Sequence, residues 1–160
     1  MRAFIFGVII LLAACASPRG EQGASTISDP VVITFQNMYW GNETSRWLVP
    51  RDGEGRYADQ QRTVTFHVSA ETFDRVRELL RPYEGHPFEC QRAIADGPYG
   101  HIIWTSREGR EDHRAQWDAG CVTGDADDMF TRLDAVMDLL GPLRDAGEAR
   151  PTLEPDASPR

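Results

Sequence analysis

Four histidines are the first side chains to test for chemistry, because histidine serves both as a metal ligand and as an acid–base catalyst. They are His67, His86, His101 and His113. No two of them have the His-x-x-x-His spacing, and the zinc-binding pattern His-Glu-x-x-His is absent from the sequence. Strand alternation sends His101 and His113 to opposite faces of a predicted hairpin. We therefore expect surface histidines on strands and loops, and no metal.

Acidic residues form a second candidate site around Asp118 and the segment Gly124-Asp125-Ala126-Asp127-Asp128. Several carboxylates close together can bind calcium, but the Asp, Gly and terminal Glu order of an EF-hand loop is missing. Acids are also favoured at the positive end of a helix, and Asp125 is placed to be an N-cap. We expect helix capping, with a calcium site as the alternative.

Enzymes that use covalent or phosphoryl-transfer catalysis often carry sequence motifs of fixed spacing, and the motifs considered next are missing from this sequence. Neither Gly-x-Ser-x-Gly nor Ser-x-x-Lys occurs. All 17 basic residues are arginine, so a phosphate loop ending in Gly-Lys is excluded as well. A carboxylate pair for glycoside hydrolysis is compatible with 25 acidic residues, but none stands out. The sequence favours a non-catalytic protein without a cofactor, with a hydrolase as a weaker alternative.

An aromatic cluster with one arginine surrounds a polar turn between the first two predicted strands. It contains Tyr39, Trp40, Arg46 and Trp47. Tyrosine, tryptophan and arginine are the residue types most enriched in interface hot spots. We therefore predict an interaction surface here, to which the polar 51–61 segment could also belong. The alternative is that Trp40 and Trp47 belong to the core.

Length and charge restrict the class of protein. A chain of 160 residues accommodates one ordinary domain. The net charge of −8 argues against a general nucleic-acid binder, which needs a basic surface to displace counterions from phosphates. It argues equally against a polybasic attachment to anionic lipid.

The N-terminus is predicted to carry an export signal. Arg2 precedes an uncharged apolar run from Ala3 to Ala14, which is too short to span a bilayer but suits the apolar core of a signal peptide. The run ends in Leu12-Ala13-Ala14-Cys15, which resembles the lipobox of bacterial lipoproteins. A plain signal peptide and a buried N-terminal helix are the alternatives.

The resemblance implies cleavage before Cys15 and attachment of a diacylglyceryl group to its sulfur. Two or three acyl chains are enough for stable attachment to a lipid bilayer. In that family an aspartate after the cysteine often retains the protein in the inner membrane. The residue here is Ala16, so the resemblance favours the outer membrane, with the domain facing the periplasm.

The sequence divides into four segments. Residues 1–14 are the predicted signal peptide, and residues 15–29 the lipidated cysteine and a flexible tether. Residues 30–147 form one predicted domain, and residues 148–160 a disordered tail. The two remaining cysteines, Cys90 and Cys121, flank the predicted hairpin, so we expect a structural disulfide in an exported chain.

Periodicity predicts the elements of that domain. Strands are expected over 31–40, 46–49 and 63–69, and a loop over 51–61. The 99–119 segment predicts a hairpin turning at 107–110, with Ile102 opposite Ala115 and Trp104 opposite His113.

Two amphipathic helices complete the prediction. Ser69 is the expected N-cap of the first, and Pro82 and Gly85 close it. The second runs from Asp125 to Gly141-Pro142. Helical spacing marks their apolar stripes, which contain Phe73, Val76, Leu80 and Tyr83 in the first and Phe130, Leu133, Val136, Met137 and Leu140 in the second.

The predicted fold is a two-layer α+β domain of order β-β-β-α-β-β-α. About five mostly antiparallel strands form its sheet, and both helices pack on one face. The expected function is that of a lipid-anchored binding module for an envelope protein or wall component, such as a wall-enzyme inhibitor or a scaffold. A periplasmic protein that binds a small ligand or a divalent metal is the alternative.

Overall fold

The computed structural model describes residues 29–86, 90 and 96–151. The predicted signal peptide, Cys15, most of the tether and residues 152–160 lie outside this range. The described elements, in chain order, are β1 (Val32–Tyr39), β2 (Asn42–Pro50), β3 (Gly53–Asp59), β4 (Arg62–Val68), α1 (Ala70–Leu80), a 3₁₀ helix (Arg81–Tyr83), β5 (Tyr99–Thr105), β6 (Glu111–Asp118), α2 (Gly124–Asp145) and β7 (Glu148–Pro151).

One antiparallel sheet holds all seven described strands, in the order β6-β5-β1-β2-β3-β4-β7. The predicted α+β class is confirmed. The expected count of about five strands is wrong, because β3 and β7 were not expected.

A single hydrophobic core joins alternate strand residues to both helices. Ile33 and Phe35 of β1 and Ile102 and Trp104 of β5 are almost completely buried. The helices contribute the fully buried Phe73, Val76 and Leu80 from α1 and Met129, Val136 and Leu140 from α2. Because these side chains form one cluster, both helices cover the same face of the sheet.

The segment predicted to be a loop, 51–61, contains strand β3. Its inward positions hold Gly55 and Tyr57 in place of the β-branched residues that usually mark a strand. A Cβ at Gly55 would lie 2.7 Å from side-chain atoms of both Phe66 and Val68. Glycine is therefore needed for close packing against β4. Because it places no apolar side chain at this inward position, the apolar alternation that predicts a strand is absent.

The predicted hairpin of β5 and β6 is confirmed. Ile102 pairs with Ala115 and Trp104 with His113. A register shift follows Trp104, so that Thr105 pairs with Glu111. The predicted disulfide is also present, since Cys90 is bonded to Cys121 with a Cα–Cα distance of 5.3 Å.

Both helices are confirmed, although the bounds of the second differ. The hydroxyl of Ser69 accepts a hydrogen bond from the Thr72 backbone N–H, which caps α1 as expected. Helix α2 begins after Thr123, so Asp125 lies in its first turn and is not its N-cap. It also continues through Pro142 to Asp145, although proline cannot donate a helical hydrogen bond, and Leu143 of this last turn packs against the core.

Part of the predicted tail belongs to the sheet. Residues Glu148–Pro151 form β7, which pairs with β4 from Thr65 to Arg62. All four side chains of this edge strand are exposed, so it has no apolar alternation for a prediction to detect. None of the helices in the described chain is long and apolar enough to cross a membrane.

Candidate interaction surface at one end of the sheet

The antiparallel order brings four connections to the same end of the sheet. Tyr39 pairs with Asn42 around the β1–β2 turn, and Ser45 of β2 pairs with Asp59 beside the β3–β4 turn. On the other side of β1, the first residue of β5, Tyr99, pairs with Met38. We call this region the aromatic end: residues 39–45, 59–62, 98–99 and 118–122.

The β1–β2 turn at the aromatic end has an unusual residue in it. Trp40 has a φ of 49° and Gly41 a φ of 79°, the pattern of a two-residue type I′ turn. Asparagine, aspartate and glycine are the residues that normally occupy the first position, because a larger side chain in left-handed backbone costs about 1–2 kcal/mol. The Asn42 side-chain amide donates a hydrogen bond to the Trp40 carbonyl, at 3.2 Å.

The rings at this turn are open to solvent. Trp40 is 68% exposed and Tyr39 46% exposed. The two rings meet edge to face, with centroids 6.2 Å apart. Val122, which follows β6 at the same end, is 62% exposed. Three of the four large apolar side chains that the described chain exposes are therefore at the aromatic end.

A polar cleft adjoins the turn. It has a volume of about 340 Å³ and is lined by Thr44, Asp59, Gln60 and Gln61. A smaller cavity of about 130 Å³ continues it toward Glu43. We call the two together the polar cleft.

The carboxylate of Asp59 fixes the shape of the polar cleft. Its Oδ1 accepts hydrogen bonds from the backbone N–H groups of Gln61 and Arg62, each at 2.8 Å. Partial burial opposes ionisation of Asp59, but these bonds outweigh it and lower the pKa of the carboxyl. The β3–β4 turn is thus held by a charged, hydrogen-bonded side chain.

Arg46 lies at the surface, as predicted, but its charge is neutralised locally. Its Nε donates to the Glu43 carboxylate at 2.9 Å. That hydrogen bond raises the pKa of the Arg46 guanidinium. Gln36 donates to the same carboxylate at 3.2 Å.

Trp47 does not belong to the predicted surface. It is only 3% exposed, and its ring lies 4.7 Å from that of Tyr57 and 5.9 Å from that of Phe66. The guanidinium of Arg144 from α2 covers it, 5.5 Å from the ring centroid. Trp40 and Trp47 therefore divide between the two interpretations, one at the surface and one in the core.

Other predicted candidates do not converge. Across residues 29–86, 90 and 96–151, no group of three or more histidine, cysteine, aspartate or glutamate side chains is arranged to hold a metal ion. At the start of α2, Asp128 accepts hydrogen bonds at 2.7 Å from the Tyr83 hydroxyl and the Arg132 Nε. Its partners are thus side chains of the fold itself.

A cavity of about 550 Å³ lies beside α1, and most of the charged groups that line it pair with one another. Glu84, which is only 6% exposed, accepts two hydrogen bonds from Arg77, at 3.0 and 2.8 Å. Glu78 is likewise paired with Arg81. Four of the lining side chains thus form ion pairs within the fold.

The residues of the polar cleft were not predicted individually. Thr44 is the extra residue at a register shift in β2, and Gln60 and Gln61 were assigned to a loop. The only available signal was that the 51–61 segment could share a surface with the aromatic cluster. A comparison of the chain with protein families, curated proteins and solved structures finds no match.

Proposed function

We propose that this protein is a lipid-anchored envelope protein, attached through Cys15, whose folded domain is a non-catalytic binding module. The aromatic end is its partner-binding surface. The lipobox-like sequence supports the anchor. The Cys90–Cys121 disulfide supports an oxidising compartment such as the periplasm.

The observation that carries the binding role is Trp40. An indole that is 68% exposed contributes little burial to the fold, and its left-handed backbone works against folding. Strained residues of this kind cluster at functional sites, where another interaction compensates for the strain. Tyr39 beside it extends the same amphipathic surface.

The direction of β1 supports the same arrangement. The described chain begins at Asp29, and β1 runs from Val32 to Tyr39. At about 3.4 Å per residue, the aromatic end lies roughly 24 Å farther along the sheet than the point where the chain enters it. A protein anchored through its N-terminus thus presents the aromatic end on the far side of the domain from its attachment.

Metabolic labelling with a fatty-acid analogue, followed by membrane fractionation, tests the anchor. We expect the full chain to be labelled and membrane-bound, and the Cys15→Ala variant to be neither. Labelling that survives Cys15→Ala would contradict lipidation at this residue.

Site-specific crosslinking in cells tests the surface. A photoreactive amino acid at position 40 is compared with the same group at position 107, in the β5–β6 turn at the opposite end of the sheet. We expect adducts from position 40 alone. Equal adducts from both positions, or adducts from position 107 only, would contradict the proposed surface.

A further inference from the structure

We infer that the aromatic end binds an uncharged, hydroxyl-rich glycan chain, with one sugar ring against Trp40 and the next in the polar cleft. This inference rests on the proposed function in one respect, which is that the partner occupies the aromatic end. It adds the chemical class of that partner and the residues that recognise it.

The lining of the polar cleft matches sugar hydroxyl groups. A hydroxyl both donates and accepts hydrogen bonds, and so do the amide side chains of Gln60 and Gln61. Both residues are exposed, so their amide groups are open to solvent and to a ligand. Their backbone is nevertheless held by the bonds to Asp59, so the two amides are presented by a fixed turn.

The two exposed rings match the other side of a sugar. A pyranose ring has a face of C–H groups that packs on an aromatic face, while its hydroxyls point outward around the ring. Trp40 and Tyr39 supply such faces, and they are open to solvent. An apolar ring surface beside a polar cleft is therefore the complement of an amphipathic sugar.

The spacing indicates a chain and not a single sugar. Trp40 lies in the β1–β2 turn, whereas Gln60 and Gln61 lie in the β3–β4 turn. In the strand order β1-β2-β3-β4 these two turns are two strand spacings apart, which is about 10 Å across the sheet. A ligand that contacts both must be longer than one sugar ring. The cleft volume of about 340 Å³ falls at the small end of the range for ligand sites, about 300–1,000 Å³.

The charges around the polar cleft disfavour anionic ligands. Glu43 and Asp59 place two carboxylates there, and the neighbouring arginines are engaged with them. Arg46 is hydrogen-bonded to Glu43, and Arg62 approaches Asp59 at 4.0 Å. These carboxylates would repel a phosphate-bearing polymer or an acidic glycan, and the cleft lining offers it no arginine to pair with. A neutral glycan would not be repelled.

Two binding assays with the full-length protein in detergent test the inference. The soluble probe is a series of β-1,4-linked N-acetylglucosamine oligomers of one to five units, measured by calorimetry. The insoluble probe is purified peptidoglycan, measured by co-sedimentation. We expect affinity to rise from one unit to at least three, and an acidic polysaccharide of similar length to bind more weakly.

Variants identify the site. We expect Trp40→Ala to weaken oligomer binding about tenfold or more, and Gln60→Ala combined with Gln61→Ala to weaken it by about the same factor, which corresponds to one or two neutral hydrogen bonds. Leu48→Ala is the matched control, since Leu48 is an exposed apolar residue away from the aromatic end, and it should leave binding unchanged. A circular dichroism melt of each variant confirms that it is folded.

Each outcome has one meaning. Retention on peptidoglycan that the oligomers compete away supports a wall glycan, and oligomer binding without retention supports a free oligosaccharide. Binding that is insensitive to Trp40→Ala, or strongest for the acidic polysaccharide, overturns the inference. Protein adducts at position 40 without any oligomer binding overturn it while the proposed function stands. If position 40 forms no adducts and the protein binds no oligomer, both this inference and the proposed function fail.

Discussion

The β1–β2 and β5–β6 turns lie at opposite ends of one sheet. Both reverse the chain between antiparallel strands, but they do so with different residues. In the β5–β6 turn, glycine occupies the left-handed position, with Gly109 at a φ of 74°. The remaining turn residues are charged, and Arg110 pairs with Glu108 at 2.8 Å. Glycine in left-handed backbone and charges in solvent are what folding and solubility favour.

The β1–β2 turn departs from this pattern at one residue. Gly41 occupies one left-handed position, but Trp40 occupies the other and exposes its indole. The comparison separates two roles. The β5–β6 turn has the residues that chain reversal requires, and the β1–β2 turn carries a ring that chain reversal does not require.

The two ends of the sheet differ in the same way. Where the chain enters, Asp29 contacts Arg51 at 2.6 Å and also Arg77, which in turn binds Glu84. Charged groups at that end are paired with one another. The aromatic end also has paired charges, at Glu43 and Asp59, but it adds exposed apolar rings and the exposed amides of Gln60 and Gln61. This difference is the reason that we propose the aromatic end as the binding surface.

The largest effect that we expect separates the two tryptophans of the first hairpin. Trp47→Ala should reduce the free energy of unfolding by about 3–5 kcal/mol, because it empties a core site between Tyr57, Phe66 and Arg144. Trp40→Ala should change it by less than about 0.5 kcal/mol. Urea denaturation measures both. Equal losses would contradict the division into one core and one surface tryptophan.

The disulfide should have the next largest effect. Cys90 and Cys121 are 31 residues apart, and the chain-entropy relation predicts a loss of about 3–4 kcal/mol for the double serine variant. Reduction of the unmodified protein should lower its melting temperature to that of the double variant. The same reductant should leave the melting temperature of the double variant unchanged. A reductant effect of equal size in the double variant would show that the bridge is not its cause.

Exchange of turn residues should have a smaller effect, of opposite sign at the two turns. Trp40→Asn restores the favoured Asn-Gly pair of a type I′ turn and should stabilise the protein by about 1 kcal/mol while it weakens partner binding. Gly109→Ala places a Cβ in left-handed backbone and should destabilise by about 1–2 kcal/mol. A loss of stability in Trp40→Asn would indicate that the indole supports the fold.

The smallest expected effect is a pH dependence at the entry end. Hydrogen bonding to Arg51, and then to Arg77, holds the pKa of Asp29 below its ordinary value of 3.8. A lowered pKa stabilises the folded state above pH 3.8, and this contribution is lost as the pH falls through the lowered value. Asp29→Asn should therefore melt at a lower temperature than the unmodified protein at pH 7, and the gap should close in strong acid. A gap that is constant with pH would contradict the ionic origin.

Local signals were sufficient for several elements. The alternation in 99–119 predicted the pairing of Ile102 with Ala115, because a slip of one residue would send the apolar side chains to the wrong face. Ser69 was predicted as the cap of α1 because its hydroxyl acts on the backbone three residues away. The disulfide followed from the count of cysteines in a chain that we predict to be exported and from their positions around a hairpin.

Elements without a local signal were missed. Strand β3 turns Gly55 toward the core, and its identity as a strand depends on Phe66 and Val68 packing where a Cβ would otherwise lie. Strand β7 is stabilised through backbone pairing with β4. Its four side chains are all exposed, so they show no apolar periodicity that would predict a strand. In both cases the deciding contact comes from another strand.

The sequence by itself determined the fold class, the two helices, the β5–β6 register and the partners of the disulfide, because these depend on residues that are close in the chain or on counts of residues. Only the tertiary structure decided that Trp47 is buried while Trp40 is exposed, and that Gln60 and Gln61 lie beside Thr44. Both outcomes depend on the register of β2 against its two neighbours. That register is selected by packing across the whole sheet, since shifting a strand by one residue exchanges its buried and exposed faces.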